Sequence, residues 1–247
     1  MNFYALIIGT EILNGRRQDK HFEFVKNELQ KYGHDLFASL IIKDDRELIQ
    51  RAFEMVRADK ESVLFSFGGI GSTPDDLTRE ISAKVFSNSP VTPHKKFLAD
   101  IIERFGEKAY PHRIHMADLP PNAELLFNPV NNMSGYSLEN RYFFTPGFPS
   151  MAHPMISSVI EKYFSQVEKK YRKTLLAKTS EETLITLMQK LPAEIELSCL
   201  PMFIEEKPHV ELSLLSQDKE LVQKSFTLFI EDLEKREVSY EIVEDFH

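Results

Sequence analysis

Residues 62–78 read Ser-Val-Leu-Phe-Ser-Phe-Gly-Gly-Ile-Gly-Ser-Thr-Pro-Asp-Asp-Leu-Thr. The first six residues form a strand-like run of the kind that is buried on both faces of a parallel sheet. Three glycines follow, and a helical pattern over residues 74–86 then places Leu77, Ile81 and Val85 on one side. This order predicts a strand, a glycine-rich loop and a helix, which is the corner of an open α/β sheet where ligands bind.

The alternation of strand and helix patterns also precedes this segment. Phe3 to Ile8 and Leu36 to Ile42 are further apolar runs, and a helical spacing of apolar residues follows each of them. We expect Asp44 and Glu47 to frame the start of the second helix as its N-cap pair. Alternation of this kind predicts right-handed crossovers and a mainly parallel sheet with helices on both faces. The apolar stripe predicted for the second helix contains Leu48, Ala52, Phe53 and Val56.

The pattern changes in the last third of the chain. Glu139-Asn140 separates two short apolar runs and predicts a tight hairpin turn. Beyond the charged stretch Glu168 to Lys173 the order becomes β-α-β-β-α-β, with a first helix expected over Ser180 to Leu191, and this order is that of a ferredoxin-like sandwich. We therefore predict an α/β domain over residues 1–168 and a small α+β domain over residues 169–247.

Composition narrows the classes of partner. The chain has 247 residues with 30 Lys plus Arg against 38 Asp plus Glu, so its net charge of −8 is a poor match for a nucleic-acid backbone. Its one cysteine, Cys199, cannot form an internal disulfide, which fits a reducing compartment. The sequence has no apolar run of the ~18 residues that a membrane span needs, and its start lacks the basic lead of a signal peptide. We expect a cytoplasmic protein that binds neither nucleic acid nor membrane.

Acidic residues follow three separate strand patterns. Glu11 comes after the first strand, Asp44 after the second, and Asp75 and Asp76 after the third. A phosphate ~4 Å from one such carboxylate meets a repulsion of ~4 kcal/mol at an effective dielectric of ~20, more than the ~1 kcal/mol that a helix dipole supplies. The sequence therefore predicts a phosphorylated ligand together with Mg²⁺ or another divalent cation, held by Asp44 and Asp76. We expect Asp76, Asp44 and Glu11 to be the catalytic residues, with Glu11 orienting a water molecule.

Each of these residues also has a purely structural interpretation. Thr73 as N-cap, Pro74 at the first helical position and Asp76 three residues after Thr73 make a good helix start without any ligand. Asp44 is equally suited to capping its helix, and the segment after the first strand is equally suited to an ordinary turn. The three glycines before Thr73 favour the functional interpretation, because a capping box does not require them.

Three segments carry a family resemblance: Gly9-Thr10-Glu11-Ile12-Leu13-Asn14-Gly15, the stretch Gly68 to Thr78, and Pro146-Gly147-Phe148-Pro149. They resemble the molybdopterin-binding (MoaB/Mog-type) domain family, and within it the N-terminal part of the competence/damage-inducible protein A (CinA) proteins. The resemblance covers residues 1–168 and implies a three-layer α/β fold with a pterin- or nucleotide-phosphate pocket. It also implies self-association as a homodimer or other homo-oligomer.

The remainder of the chain is similar to the small domain that follows in CinA proteins. Ser180-Glu181-Glu182-Thr183-Leu184 stands in place of that family's G-E-S-x-L. We expect the nicotinamide-mononucleotide deamidase domain of full-length CinA to be absent, and that activity is not carried over to this chain.

The resemblance also implies an activity. Asp76 matches the aspartate needed for metal-dependent adenylyl chemistry on molybdopterin, and Asp44 matches a second pocket acid. CinA-type members are associated instead with metal-dependent hydrolysis of dinucleotide pyrophosphates such as ADP-ribose or FAD, which is the activity we predict. The alternatives are a molybdopterin-binding protein of molybdenum cofactor biosynthesis and a non-catalytic nucleotide-binding or assembly module. The residues expected to contact the phosphorylated ligand are Gly9, Thr10, Asn14, Gly68, Gly69, Gly71, Ser72, Thr73, Asp75, Thr78, Gly135, Pro146 and Gly147.

The chain departs from the family pattern at three places. Asn131-Asn132-Met133-Ser134-Gly135 stands where the family has G-T-A-P-G, Ser72 replaces a proline, and Met151 replaces a glutamate. These changes fall in loops that we expect to line the pocket, so they bear on the identity of the ligand.

Overall fold

The structure is a computed structural model that describes residues 1–166 and 169–243. The chain divides into two compact units, Met1–Val167 and Glu168–His247. The boundary predicted between residues 168 and 169 falls beside residues outside the described ranges, and it stays a prediction. None of the helices in the described ranges is both long enough and apolar enough to cross a membrane.

The first unit contains a six-stranded mixed sheet in the strand order β2 (Leu36–Ile42), β1 (Asn2–Ile8), β3 (Ser62–Phe67), β8 (Tyr142–Thr145), β7 (Gly135–Leu138) and β6 (Glu124–Leu126). The four strands β2, β1, β3 and β8 pair in parallel, while β7 and β6 add antiparallel pairs at one edge. The prediction of a mainly parallel sheet is therefore confirmed. In chain order the elements are β1 (Asn2–Ile8), α1 (Thr10–Leu13), α2 (His21–Gln30), β2 (Leu36–Ile42), α3 (Arg46–Ala58), β3 (Ser62–Phe67), α4 (Thr78–Ser82), β4 (Thr92–Pro93), α5 (Lys95–Phe105), β5 (Asp118–Leu119), β6 (Glu124–Leu126), β7 (Gly135–Leu138), β8 (Tyr142–Thr145) and α6 (Pro149–Phe164).

Strand β1 shows why the fold has three layers. Successive side chains of a strand point to opposite faces, and Leu6 lies in one buried cluster while Ile7 lies in the other. Helix α3 covers the first face with Phe53, and helices α2 and α6 cover the second face with side chains such as Leu29 and Ile160. A strand buried on both faces needs apolar residues at every position, which explains the continuous run in the sequence.

The predicted hairpin is confirmed by its backbone angles. Glu139 and Asn140 have φ values of 55° and 51°, and the Arg141 amide donates to the Leu138 carbonyl at 3.1 Å. Two consecutive residues with positive φ form the turn that matches the twist of antiparallel strands. The turn therefore closes β7 onto β8.

Helix α3 differs from its prediction at the first turn. Its N-cap is Asp45, whose side chain accepts a hydrogen bond from the Leu48 amide at 2.9 Å, so the expectation of Asp44 as the cap is wrong. Ile49 is buried in place of Leu48, which is 40% exposed. Moving the cap by one residue leaves Asp44 available for other contacts.

The second unit is a four-stranded antiparallel sheet with the order β10-β11-β9-β12. The predicted β-α-β-β-α-β arrangement is confirmed, although the first helix is much shorter than Ser180 to Leu191 and follows a 3₁₀ turn at Glu181–Thr183. Phe226 and Phe229 of the long helix pack in the core of this unit with Leu212. The elements are β9 (Tyr171–Ala177), α7 (Ile185–Met188), β10 (Glu196–Ile204), β11 (Lys207–Ser216), α8 (Lys219–Lys235) and β12 (Tyr240–Val243).

Candidate functional site

A cavity of about 510 Å³ opens in the first unit where the parallel strands end. The segments that follow β1, β2, β3 and β8 all contribute to it, as expected for the carboxyl edge of an open α/β sheet. Its volume is in the range of ordinary small-molecule sites. The residues that line it are Ile8, Glu11, Arg17, Asp44, Gly68, Gly69, Ile70, Gly71, Ser72, Thr73, Asp75, Asp76, Phe105, Met116, Asn131, Met133, Ser134, Pro146, Gly147, Phe148 and Met151.

The structure brings most of the predicted site residues together at this cavity. Acids from three different strand ends share the lining, namely Glu11, Asp44 and the pair Asp75 and Asp76. The predicted residues outside the lining are Gly9, Thr10, Asn14, Thr78 and Gly135. Gly9, Thr10 and Gly135 are each next to a lining residue in the chain, whereas Asn14 and Thr78 are not.

The turn at Gly68 and Gly69 can be made only by glycine. Their φ values are +100° and +70°, and a Cβ atom at Gly68 would lie 2.4 Å from the Ile8 carbonyl oxygen. A Cβ atom at Gly69 would lie 2.2 Å from Oγ1 of Thr78. The buried Thr78 side chain donates to the Gly68 carbonyl at 3.0 Å and its amide donates to the Gly69 carbonyl at 3.0 Å. Thr78 therefore fixes the turn, and it lies outside the cavity lining.

Asp76 organises the loop that follows this turn. Its Oδ1 accepts a hydrogen bond from the Gly71 amide at 2.8 Å, and its Oδ2 accepts from the Thr73 amide at 2.7 Å and the Thr73 hydroxyl at 2.6 Å. The helix begins at Thr78, so the predicted start with Thr73 as N-cap and Pro74 at the first helical position is wrong. The amides of Gly71 and Thr73, which we expected to face a phosphate, donate to Asp76 instead.

Asp44 joins the first two strand ends. Its Oδ2 accepts from the amide and the hydroxyl of Thr10, both at 2.8 Å, and its own amide donates to the Thr10 hydroxyl at 3.2 Å. The Gly9 amide donates to the Ile42 carbonyl at 3.0 Å and extends the pairing of β1 with β2. Gly9 and Thr10 therefore hold Asp44 at the cavity wall.

Arg17 is a cation in this acidic lining that the sequence analysis missed. Its amide donates to the Glu11 carbonyl at 2.9 Å, and its Nη1 lies 3.9 Å from Oε1 of Glu11. The guanidinium carbon is 5.6 Å from the centre of the Phe148 ring, which also lines the cavity. Asn14 turns away and accepts hydrogen bonds from Arg16. The signal in the sequence was a basic residue six positions after Glu11 in the same loop.

The altered loop before β7 is well ordered by amide side chains. Asn128 is fully buried, and its Nδ2 donates to Oδ1 of Asn131 at 2.8 Å and to the Met133 carbonyl at 3.0 Å. Asn131 in turn donates to Sδ of Met151 at 3.3 Å. Met133 thus lies in the cavity wall, where it belongs to the same apolar cluster as Ile70, Phe105 and Met116.

Gly135 is required by the sheet. A Cβ atom there would lie 2.3 Å from the Phe144 carbonyl oxygen in the neighbouring strand. This close backbone approach explains the glycine through strand packing, and Gly135 lies outside the cavity lining.

The pKa values of two ionisable groups at or near the cavity, Asp75 and Arg79, are shifted by their surroundings. The Thr73 hydroxyl, whose hydrogen bond goes to Asp76, also lowers the pKa of the neighbouring Asp75 carboxyl, together with the Asp75 backbone amide. Arg79 of α4 is buried, and desolvation lowers its pKa against the charge of Asp76, which acts to raise it. Its Nη1 has no hydrogen-bond partner within the described part of the chain. A buried cation therefore lies close enough to Asp76 to interact with its charge.

The described ranges contain no preformed metal site with three or more protein ligands of the types His, Cys, Asp and Glu. Among residues 1–166 and 169–243, no group of three or more His, Cys, Asp or Glu side chains is arranged to hold a metal ion. The donors at the cavity are the carboxylates described above, which are hard oxygen ligands of the kind that Mg²⁺ prefers.

The fold and the cavity define a three-layer α/β protein with a small-molecule-sized cavity at the carboxyl edge of its sheet. The chain belongs to the family described as "Probable molybdopterin binding domain", which matches residues 4–166. A CinA-like protein of Desulfotalea psychrophila is 28% identical over 233 residues, which cover 88% of this chain and 54% of that protein. A CinA-like protein of Nostoc punctiforme is 29% identical over 162 residues, which cover 63% of this chain and 38% of that protein.

A solved structure has the same fold. The crystal structure of the protein CinA with unknown function from Thermoplasma acidophilum matches with a TM-score of 0.59 and 28% identity, and the match covers 66% of this chain and 98% of that one. The chain spans about half the length or less of the two CinA-like relatives above. The resemblance inferred from the three motifs is confirmed by these matches.

Proposed function

We propose that this chain hydrolyses a dinucleotide pyrophosphate of the ADP-ribose or FAD type with the help of a divalent cation. The observation that carries the proposal is the convergence of Glu11, Asp44 and Asp76, from three separate strand ends, on one cavity beside a glycine-rich loop. Such a lining disfavours a bare phosphate and favours a phosphate accompanied by a cation. The cavity volume is also sufficient for a ligand of nucleotide size.

The apolar part of the lining supports a ligand that carries a ring as well as phosphates. Phe105, Met116 and Met133 belong to the hydrophobic core and reach the cavity surface, while Met151 is held by Asn131. Flexible thioether side chains adapt well to the faces of aromatic rings. A nucleotide base would contact this wall while its phosphates lie at the acidic side.

The donor set at the cavity fits Mg²⁺. Asp44 and Asp76 would hold the ion, because Mg²⁺ typically binds one or two carboxylates together with substrate phosphates and water. Asp76 already accepts three hydrogen bonds, yet its Oδ1 accepts only one of them and keeps a lone pair for a cation. When bound, the ion would polarise the pyrophosphate and stabilise the charge that develops during hydrolysis.

The remaining groups have roles that do not depend on the ion. Glu11 would orient the attacking water, since it lines the cavity and is only loosely paired with Arg17 at 3.9 Å. Arg17 would exchange that contact for a phosphate oxygen, which a guanidinium binds through charge-assisted hydrogen bonds. Ser72 would supply a further polar contact at the same loop, whereas the amide and hydroxyl of Thr73 already donate to Asp76.

The decisive experiment compares two neighbouring aspartates. Hydrolysis of ADP-ribose and FAD is measured with Mg²⁺, Mn²⁺ and Co²⁺ for the wild type, Asp44→Asn and Asp45→Asn. We expect Asp44→Asn to lower kcat/KM by about 100-fold or more, as loss of a metal-ligating group does. Asp45→Asn is the matched control, because asparagine caps α3 as well as aspartate does and Asp45 is outside the cavity lining. Absence of turnover with every nucleotide and ion, or equal rates for both variants, would refute the proposal.

Molybdopterin binding is the second candidate, and the family match over residues 4–166 favours it. The same cavity would then hold the pterin phosphate at the acidic side and the pterin ring against Met133. A fluorescent pterin that copurifies with the chain and is lost in Met133→Lys would support this function. Purification without any bound pterin, together with nucleotide hydrolysis, would reject it.

A further inference from the structure

A buried histidine supports the cavity wall from outside. His21 is the first residue of α2 and is only 3% exposed. Its Nε2 lies 3.3 Å from the carbonyl oxygen of Gly147, which is 126 positions away in the chain and lines the cavity. Because a carbonyl oxygen only accepts hydrogen bonds, Nε2 must carry the proton and donate.

The imidazole is held in a fixed orientation. It stacks on Phe67 with the ring centres 4.2 Å apart, and His153 approaches it edge-on at 5.2 Å. Asp19 accepts hydrogen bonds from the amides of His21 and Phe22 and so anchors the start of α2. The ring therefore joins the last residue of β3 to the loop that follows β8.

The second ring nitrogen of His21, Nδ1, shows that this arrangement is unfavourable for stability. Nδ1 of His21 is buried and has no hydrogen-bond partner within the described ranges. Burial lowers the pKa of His21, so the ring is neutral at physiological pH. A buried acceptor without a partner destabilises the folded state, because it has lost its hydrogen bond to water. An apolar aromatic ring would fill this place without that cost, so packing alone does not account for the histidine.

The hydrogen bond determines which way the next peptide faces. In a trans peptide the C=O and N–H groups point in opposite directions, and the bond between Gly147 and Phe148 is trans. With the Gly147 carbonyl directed at His21, the Phe148 N–H is directed away from it. Phe148 is also the N-cap of the 16-residue helix α6, has no side-chain cap and lines the cavity.

We infer that His21 is a positioning residue for anion binding, which it serves by holding the Gly147 carbonyl so that the Phe148 N–H is presented to the cavity. The inference rests on the proposed function, because it concerns the phosphate group of the same ligand. Gly147 also packs against Gly68, where a Cβ atom at Gly147 would lie 3.4 Å from the Gly68 Cα. The bond from His21 therefore orients a peptide that already borders the glycine-rich turn.

The test uses two amide side chains that differ only in reach. Glutamine places its Nε2 donor near the position of the histidine Nε2, whereas asparagine is too short to reach the Gly147 carbonyl. The affinity of the full-length chain for inorganic pyrophosphate with Mg²⁺ is measured by calorimetry for the wild type, His21→Gln and His21→Asn. We expect His21→Asn to weaken binding by about 3- to 10-fold, in line with the loss of one hydrogen bond, and His21→Gln to stay within about twofold of the wild type.

Two further variants separate positioning from stability. His21→Phe keeps the ring stacking but removes the donor, so we expect weaker binding together with an unchanged or higher Tm. His153→Phe is the control, because His153 stacks on Phe24 and touches the His21 ring but lines no part of the cavity. Amide exchange of Gly147, Phe148, Ser150 and Met151 should be faster in His21→Asn and His21→Phe than in the other proteins.

The outcomes distinguish this inference from the proposed function. If pyrophosphate affinity depends on a side-chain donor at position 21 but the chain hydrolyses neither ADP-ribose nor FAD, the proposed function alone is overturned. Hydrolysis that persists while His21→Asn binds pyrophosphate as tightly as the wild type would overturn the inference alone. A wild type that binds no pyrophosphate would overturn both.

Discussion

Replacing Gly68 by alanine tests the backbone packing beneath the cavity. The new Cβ atom would lie 2.4 Å from the Ile8 carbonyl oxygen, far inside any normal contact distance. That carbonyl belongs to β1, which is paired with β2 on one side and β3 on the other, so it has little freedom to move. A left-handed φ costs a residue with a Cβ atom about 1–2 kcal/mol, and overpacking against fixed neighbours costs about 1–3 kcal/mol.

The expected loss for Gly68→Ala is therefore about 2–5 kcal/mol, a large part of the ~5–15 kcal/mol by which a domain is usually stable. Gly15→Ala is the matched control, since Gly15 has a φ of +79° but nothing within 4 Å of its Cβ position. We expect it to lose only the backbone part of about 1–2 kcal/mol. Urea denaturation followed by circular dichroism measures both free energies of unfolding. Equal losses for the two variants would refute the argument from close approach.

Three other changes probe different parts of the first unit. Asp76→Asn removes the charged acceptor of three hydrogen bonds. We expect faster amide exchange at Gly71 and a loss of about 1–3 kcal/mol in the free energy of unfolding. Unchanged exchange at Gly71 would contradict the role of Asp76 in organising the loop. Burial lowers the pKa of His153 to about 4 from 6.5, so the unfolded chain binds more protons than the folded chain between these pH values. The free energy of unfolding should therefore fall as the pH falls from about 6.5 to about 4. His153→Phe should flatten this part of the plot of stability against pH, and an unaltered plot would count against the pKa shift. Phe53→Ala removes a fully buried ring and should lower the free energy of unfolding by about 3–5 kcal/mol. Phe37→Ala, at a residue that is 62% exposed, should change it by less than about 0.5 kcal/mol. Similar losses in both variants would contradict the assigned core.

The sheet was predictable because burial on two faces leaves a direct trace in the sequence. Strands β1 and β3 need apolar or small residues at nearly every position, and that run is visible without any structure. The turn at Glu139 and Asn140 was predictable for a local reason, since two turn-forming residues between short apolar runs specify a hairpin. The convergence of acids on one edge followed from parallel strand direction alone.

The details of the site depend on contacts between distant residues, which a local pattern does not show. Thr73 and Asp76 have the spacing of a helix cap, yet the amide of Gly71 adds a third hydrogen bond that makes the segment a loop. Asp44 and Asp45 are equally good caps by residue type, and Thr10, 34 positions away from Asp44, decides between them. His21 carried no signal at all, because its partner at Gly147 lies 126 positions away.

The approach of Gly147 to Gly68 makes the base of the cavity a surface of main-chain atoms. Such a base has no side chains to exchange, so mutation can hardly redesign it without breaking the fold. Other parts of the lining are different, because Arg17, Met133 and Met151 contribute side chains that can be replaced one at a time. We therefore expect ligand preference to change through these three side chains while the main-chain base stays constant, and libraries built at the three positions would measure this.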